Sequence, residues 1–175
     1  MARDRAFTLV ELMITLAVLA VLAGVGVPYL LAGLPAQRVN AATRHLLGDF
    51  RLARTLAVER GVECLTVFDA ANSSYTVVLD TDGVPGVSAG DETVKTIRLG
   101  DEYSGIELGS SQSANPVTFL GDAALFRPRG TSNGGSVFLR PGQDSGGRRD
   151  RERKVTVMST TGRARAFRWN GSDWE

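Results

Sequence analysis

From Leu12 to Leu34 the chain reads LMITLAVLAVLAGVGVPYLLAGL, with no charged residue. About 20 consecutive apolar residues span a bilayer core at ~1.5 Å per residue, so this run predicts a membrane helix. Beyond Leu34 the pattern turns amphipathic. Val39, Ala42, Leu46, Phe50, Ala53 and Ala57 fall near one line at helical pitch, while Arg44, Arg51, Thr55 and Glu59 lie opposite. This predicts an amphipathic helix over 36–60, ended by Gly61 with Arg60 in its last turn. Pro28, Gly33 and Pro35 predict a local break ahead of it, because proline removes a helical hydrogen bond and disfavours helix at the residue before it.

After Gly61 the period falls to two. VECLTVFD (62–69) and SYTVVLD (74–80) flank a four-residue turn and predict a hairpin. Further strands are expected over 93–99, 105–108, 116–120, 135–140, 154–159 and 163–169, giving a β domain over 62–169. Many short strands with no further helical pattern predict an α+β fold: a long N-terminal helix packed on an antiparallel sheet. Residues 35–175 are expected to form one domain of ordinary size.

Charge divides the chain unevenly. Residues 61–119 hold two basic and nine acidic side chains, and 120–175 hold eleven basic and six acidic, within a total of +1. That asymmetry implies an oriented surface whose C-terminal part suits anionic partners. The run Arg148-Arg149-Asp150-Arg151-Glu152-Arg153-Lys154 reads as a solvated loop, and Gly162-Arg163-Ala164-Arg165 places two arginines on one face of a strand, where they would bridge successive phosphates. Arg163, Arg165, Arg148 and Arg149 are therefore the candidate DNA- or anion-binding residues.

Little here points to catalysis, and no cofactor is expected. His45 is the only histidine, placed sideways on the amphipathic helix as a half-exposed surface residue. Gly86-Val87-Ser88-Ala89-Gly90 matches G-x-S-x-G, but it lacks the following helix and the downstream histidine that a nucleophile elbow needs. Asp80, Asp82, Asp91 and Glu92 offer oxygen ligands of the kind calcium takes, although the EF-hand spacing is not met, so a solvated acidic turn is the simpler reading. The single cysteine, Cys64, forms no intramolecular disulfide and reads as a small buried apolar residue.

One charge stands out at the head of the apolar run. A carboxylate such as Glu11 costs on the order of a few kcal/mol in a membrane helix unless it is paired. Arg3 and Arg5 just before it put the N-terminus in the cytoplasm and the residues after Leu34 across the membrane.

Ala6-Phe7-Thr8-Leu9-Val10-Glu11-Leu12 resembles the prepilin signature of type IV pilins and type II secretion pseudopilins. The resemblance implies a cleaved leader over 1–6, cut by a prepilin peptidase between Ala6 and Phe7, and N-methylation of Phe7. It also implies that residues 7–34 anchor the protein in the bacterial inner membrane, with a periplasmic head over 35–175, and that Glu11 pairs with the N-terminal amine of a neighbouring subunit. Ala6 departs from the glycine most members carry there. The block FRPRGTSNGGSV, followed by a terminal strand beginning GRAR, is similar to the H-type minor pseudopilins and FimT/FimU minor pilins, the GspH/FimT family. That likeness implies a non-enzymatic filament subunit with other pseudopilins or minor pilins as partners. Two roles stay open: a minor pseudopilin supporting type II protein export, or a FimT/FimU-like minor pilin of a type IV pilus. In FimT proteins a G-R-x-R element is associated with DNA binding, and Gly162, Arg163 and Arg165 match it.

Overall fold

The computed structural model describes residues 9–142 and 151–175. One helix, α1 (Leu9–Arg60), runs without interruption through Pro28, Gly33 and Pro35, where a break was expected. An isolated proline removes one bond of the helical ladder, and the bonds on either side are enough to carry the helix through. Gly61 ends α1 at φ 71°, its N–H donating to the carbonyl of Ala57 at 3.1 Å, as a glycine cap should.

The chain divides into two compact units, Met1–Leu34 and Pro35–Glu175. In the first, the large apolar side chains described from Leu9 to Leu31 are exposed, and the helix is long and apolar enough to cross a bilayer.

In the second unit the expected stripe of α1 is the core. Val39, Ala42, Leu46, Phe50, Ala53 and Ala57 are each at most 1% exposed. Thr43, also buried, satisfies its hydroxyl by donating to the carbonyl of Val39. Two four-stranded antiparallel sheets supply the rest of the core. The first orders β3 (Glu92–Arg98), β2 (Ser74–Leu79), β1 (Cys64–Asp69) and β5 (Ala123–Phe126). The second orders β4 (Ile106–Leu108), β6 (Gly135–Pro141), β7 (Arg153–Val157) and β8 (Ala164–Arg168). One helical turn, α2 (Leu99–Glu102), follows β3 directly.

Phe50 sits where these elements meet, its ring 6.0 Å from that of Phe68, 6.1 Å from Phe119 and 5.8 Å from Phe126. Fully burying such a ring stabilises by about 1.5–3 kcal/mol, and tilted or edge-on pairs add to that. The expected β1–β2 hairpin forms, with a register running from Cys64 opposite Leu79 to Asp69 opposite Ser74. Asp69 accepts from the backbone and side-chain nitrogens of Asn72 to close its turn.

Three strand features differ from the sequence pattern. Residues 116–120 form no strand: Val117 makes a lone bridge to Val137, and Phe119 turns into the core ahead of a 3-10 turn over Leu120–Asp122. The strand is β5 instead, an alanine-bearing stretch of weak propensity fixed by pairing with β1. Its outer edge is closed by the Asn133 amide, which accepts from the backbone of Leu125 and donates to the carbonyl of Ala123. In β3 the register slips between Val77 and Val78 of β2, so Val94 is an extra, unpaired residue. Past β8 the chain folds back: Arg168 and Glu175 exchange backbone hydrogen bonds, and Trp174 packs between Trp169 and Phe138 with the Lys154 ammonium 4.8 Å from its ring.

Candidate assembly and anion-binding sites

Glu11 lies in the first turn of α1, at the head of the exposed apolar stretch. The predicted cleavage and methylation positions, Ala6 and Phe7, lie outside the described residues.

The G-R-x-R element forms the turn and first residues of the β7–β8 hairpin. Gly162, at φ 60°, donates to the carbonyl of Met158, and Met158 donates to that of Arg163. Arg163 and Arg165 are both exposed, with half-buried Ala164 between them, as alternation along a strand requires. Two helix residues absent from the sequence-based site join Arg163 but not Arg165: Arg51 and Arg54 line, with Thr55, Gly162, Arg163 and Ala164, a cavity of about 340 Å³.

Arg54 is held in place. Its Nε donates to the carbonyl of Gly130 at 3.2 Å. A Cβ on Gly130 would press on its guanidinium, and one on Gly162 would meet the Gly130 carbonyl oxygen as well as Arg54. Both glycines have positive φ, 77° and 60°. None of Arg51, Arg54 and Arg163 is in an ion pair with a described residue.

Arg148 and Arg149 lie outside the described residues. Asp150 does too, and the described part of that charge run, residues 151–154, is not a solvated loop. Glu152 is buried and accepts from the Ser111 N–H at 2.9 Å and the Ser110 hydroxyl at 3.2 Å. Arg153, also buried, opens β7 and donates to Asn40 Oδ1 on α1 at 2.8 Å. Charges that look surplus in sequence are here fastening strand to helix and loop.

Of the four acidic loop residues, Asp80, Asp82 and Asp91 bring oxygens within 4.8 Å of one another, whereas Glu92 stands apart at the start of β3. Each of the three already accepts donors of its own loop. Asp80 takes the Gly83 N–H, Asp82 the Val84 N–H and Ser88 hydroxyl, and Asp91 the Ser88 N–H. The Ser88 bond, then that from Val84, holds the Asp82 carboxyl below its ordinary range. This is the chemistry of a turn stitched by carboxylates.

His45 takes part in a polar network that the sequence did not reveal. Lys95 Nζ lies 2.7 Å from its Nε2 and 2.9 Å from Asp49 Oδ1. Asp49, on the buried side of α1, also accepts the Tyr75 hydroxyl at 2.6 Å. Tyr103 Oη and Glu102 Oε2 stand 2.8 and 3.3 Å from His45 Nδ1. These groups tie α1 to β2, β3 and α2.

A helix with an apolar exposed N-terminal half and a C-terminal half buried against antiparallel sheets defines a pilin-like α+β protein, a class of structural rather than catalytic chains. Comparison with solved structures agrees on the fold. The minor pseudopilin EpsH of the Vibrio cholerae type II secretion system superposes with a TM-score of 0.54 at 14% identity, covering 78% of this chain and 98% of that one. The type IV minor pilin FimU of Pseudomonas aeruginosa gives 0.52 at 12% identity, covering 79% and 93%. No curated protein matches the chain.

Residues 42–162 match the family described as type II transport protein GspH, and residues 1–27 match the prokaryotic N-terminal methylation motif. The chain belongs to the GspH family, the non-enzymatic minor pseudopilins of type II secretion. Membership together with the motif carries assembly with other pseudopilins, processing by a prepilin peptidase and anchoring in the inner membrane.

Proposed function

We propose that the protein is a single-pass subunit of a short periplasmic pseudopilus that supports protein export, with its N-terminus cytoplasmic and residues 35–175 periplasmic. Its leader, residues 1–6, is removed between Ala6 and Phe7, and Phe7 is N-methylated. Residues 7–34 then hold it in the membrane until it enters the filament. There Glu11 pairs with the N-terminal amine of an adjacent subunit, which offsets the cost of a carboxylate in an apolar helix.

The reading is carried by one observation: the exposed apolar stretch from Leu9 to Leu31 bears a single acid, Glu11, in its first turn. A surface that apolar needs lipid or neighbouring helices around it. The intact mass of protein purified from membranes tests the proposal. The expected mass lacks residues 1–6 and gains one methyl group; a chain beginning near Ala36 would overturn it.

A further inference from the structure

The cavity lined by Arg51, Arg54 and Arg163 has no function in the reading above. Two features separate it from an ordinary basic surface. Arg54 is preorganised: its Nε is bonded to the Gly130 carbonyl, and two glycines at positive φ leave the space its side chain fills. A guanidinium held in this way loses less freedom when it meets an anion. Among the described residues, these arginines also have no ion-pair partner. Three positive groups line one concavity of about 340 Å³, where their attraction for an anion adds.

We propose that this cavity is a socket for a carboxylate side chain of an adjacent filament subunit. The inference rests on the reading of the chain as a filament subunit. A concavity of this volume has room for an oxyanion group, and guanidiniums bind carboxylates through paired hydrogen bonds. Two of its three arginines stand on the exposed side of α1, the helix through which the filament reading assembles the chain. The partner chemistry exists within this chain as well: of the nine acids in residues 61–119, Glu92 and Asp101 are exposed and in no ion pair with a described residue, so a second copy presents carboxylates.

The test uses the full chain in cells that assemble the filament. With Arg163→Lys, a zero-length carbodiimide joins the new amine to any carboxylate seated in the socket, and peptide mass spectrometry identifies the residue. The expected product is an amide to an aspartate or glutamate of another pseudopilin or of a second copy. In parallel, Arg51→Glu/Arg163→Glu should lower co-purification of neighbouring subunits about tenfold, the loss of roughly one charge-assisted contact. Arg51→Lys/Arg163→Lys should stay within about twofold, because the charge remains. An unchanged melting temperature of the Glu variant separates this loss from unfolding.

Absence of the cross-link, with co-purification retained in the Glu variant, would overturn the socket and leave the filament reading standing. Loss of all association in the unaltered chain would overturn the filament reading itself. If the Glu variant kept its subunits but lost binding to labelled duplex DNA at low salt, the socket would belong to a nucleic-acid phosphate and the proposal would be wrong.

Discussion

Lys95 donates from β3 to two acceptors on α1, His45 Nε2 at 2.7 Å and Asp49 Oδ1 at 2.9 Å. An ammonium has only donors, so Nε2 must be the bare nitrogen of the imidazole and Nδ1 must carry the proton. That proton faces Tyr103 Oη and Glu102 Oε2. The lysine thereby fixes the histidine tautomer and neutralises Asp49 at the same time.

Removing that ammonium strands a carboxylate whose side chain is only 5% exposed. Lys95→Met should therefore destabilise the head by roughly 2 kcal/mol, towards the lower end for a buried pair because the lysine end is partly solvated. Urea denaturation of the full chain in detergent measures it. In the double variant Lys95→Met/Asp49→Asn the loss should shrink, since no charge is left behind; an equal or larger loss would contradict the pairing.

Stability should fall in alkali. Burial pushes the Cys64 thiol from 9.0 up to about 12, and burial followed by the bond to Asp49 raises the Tyr75 phenol well above its ordinary 10.0. Both folded-state values exceed the unfolded ones, so their contribution is intact below about pH 9 and is lost as pH rises past that point. Each group costs up to about 1.4 kcal/mol per pH unit beyond its unfolded value. Denaturation midpoints between pH 8 and pH 10.5 should decline, and Cys64→Ala should flatten the first part of the slope.

Glu11 is expected to govern assembly and not folding, because its proposed counter-charge lies on another subunit. Glu11→Val should leave membrane insertion unchanged, or ease it, and reduce incorporation into the filament. Fractionation followed by co-purification reads both quantities; undiminished co-purification would remove the basis for the pairing.

Gly162→Ala should be disproportionately harmful for a single methyl group. It places a side chain at φ 60° and drives its Cβ onto the Gly130 carbonyl oxygen that Arg54 also uses. A loss of about 1–3 kcal/mol is expected, with weaker subunit association at temperatures where the fold persists. Gly171→Ala, at positive φ but with open space around it, is the control for backbone strain alone.

The parts of this structure that sequence reveals are those where one face repeats. Val39 through Ala57 recur at helical pitch and are all buried, and the β1–β2 hairpin follows from alternation with a short polar turn between. The DNA-type pair Arg163 and Arg165 also stands exposed as alternation demands. What stayed hidden depends on distant partners. β5 exists because Ala124 and Phe126 pair with β1 some 60 residues earlier, not because AALF favours a strand. Arg54 looks like any polar helix residue until Gly130 and Gly162 close around it from far along the chain. Buried Glu152 and Arg153 are indistinguishable in sequence from the basic run that contains them. Periodicity reports burial against a common face; it says nothing about which polar groups will meet.

The unpaired Val94 in β3 bears on how such subunits associate. β3 is the outermost strand of its sheet, and a straight row of free backbone donors and acceptors there would recruit the same strand of a neighbour at high local concentration. With one residue bulged out, the spacing of those groups no longer matches a regular strand. At the opposite edge, the Asn133 amide occupies the backbone groups of Ala123 and Leu125. Both edges of this sheet are thus poorly matched to the strand of a neighbouring head, so heads crowded side by side do not fuse through it into a continuous ribbon.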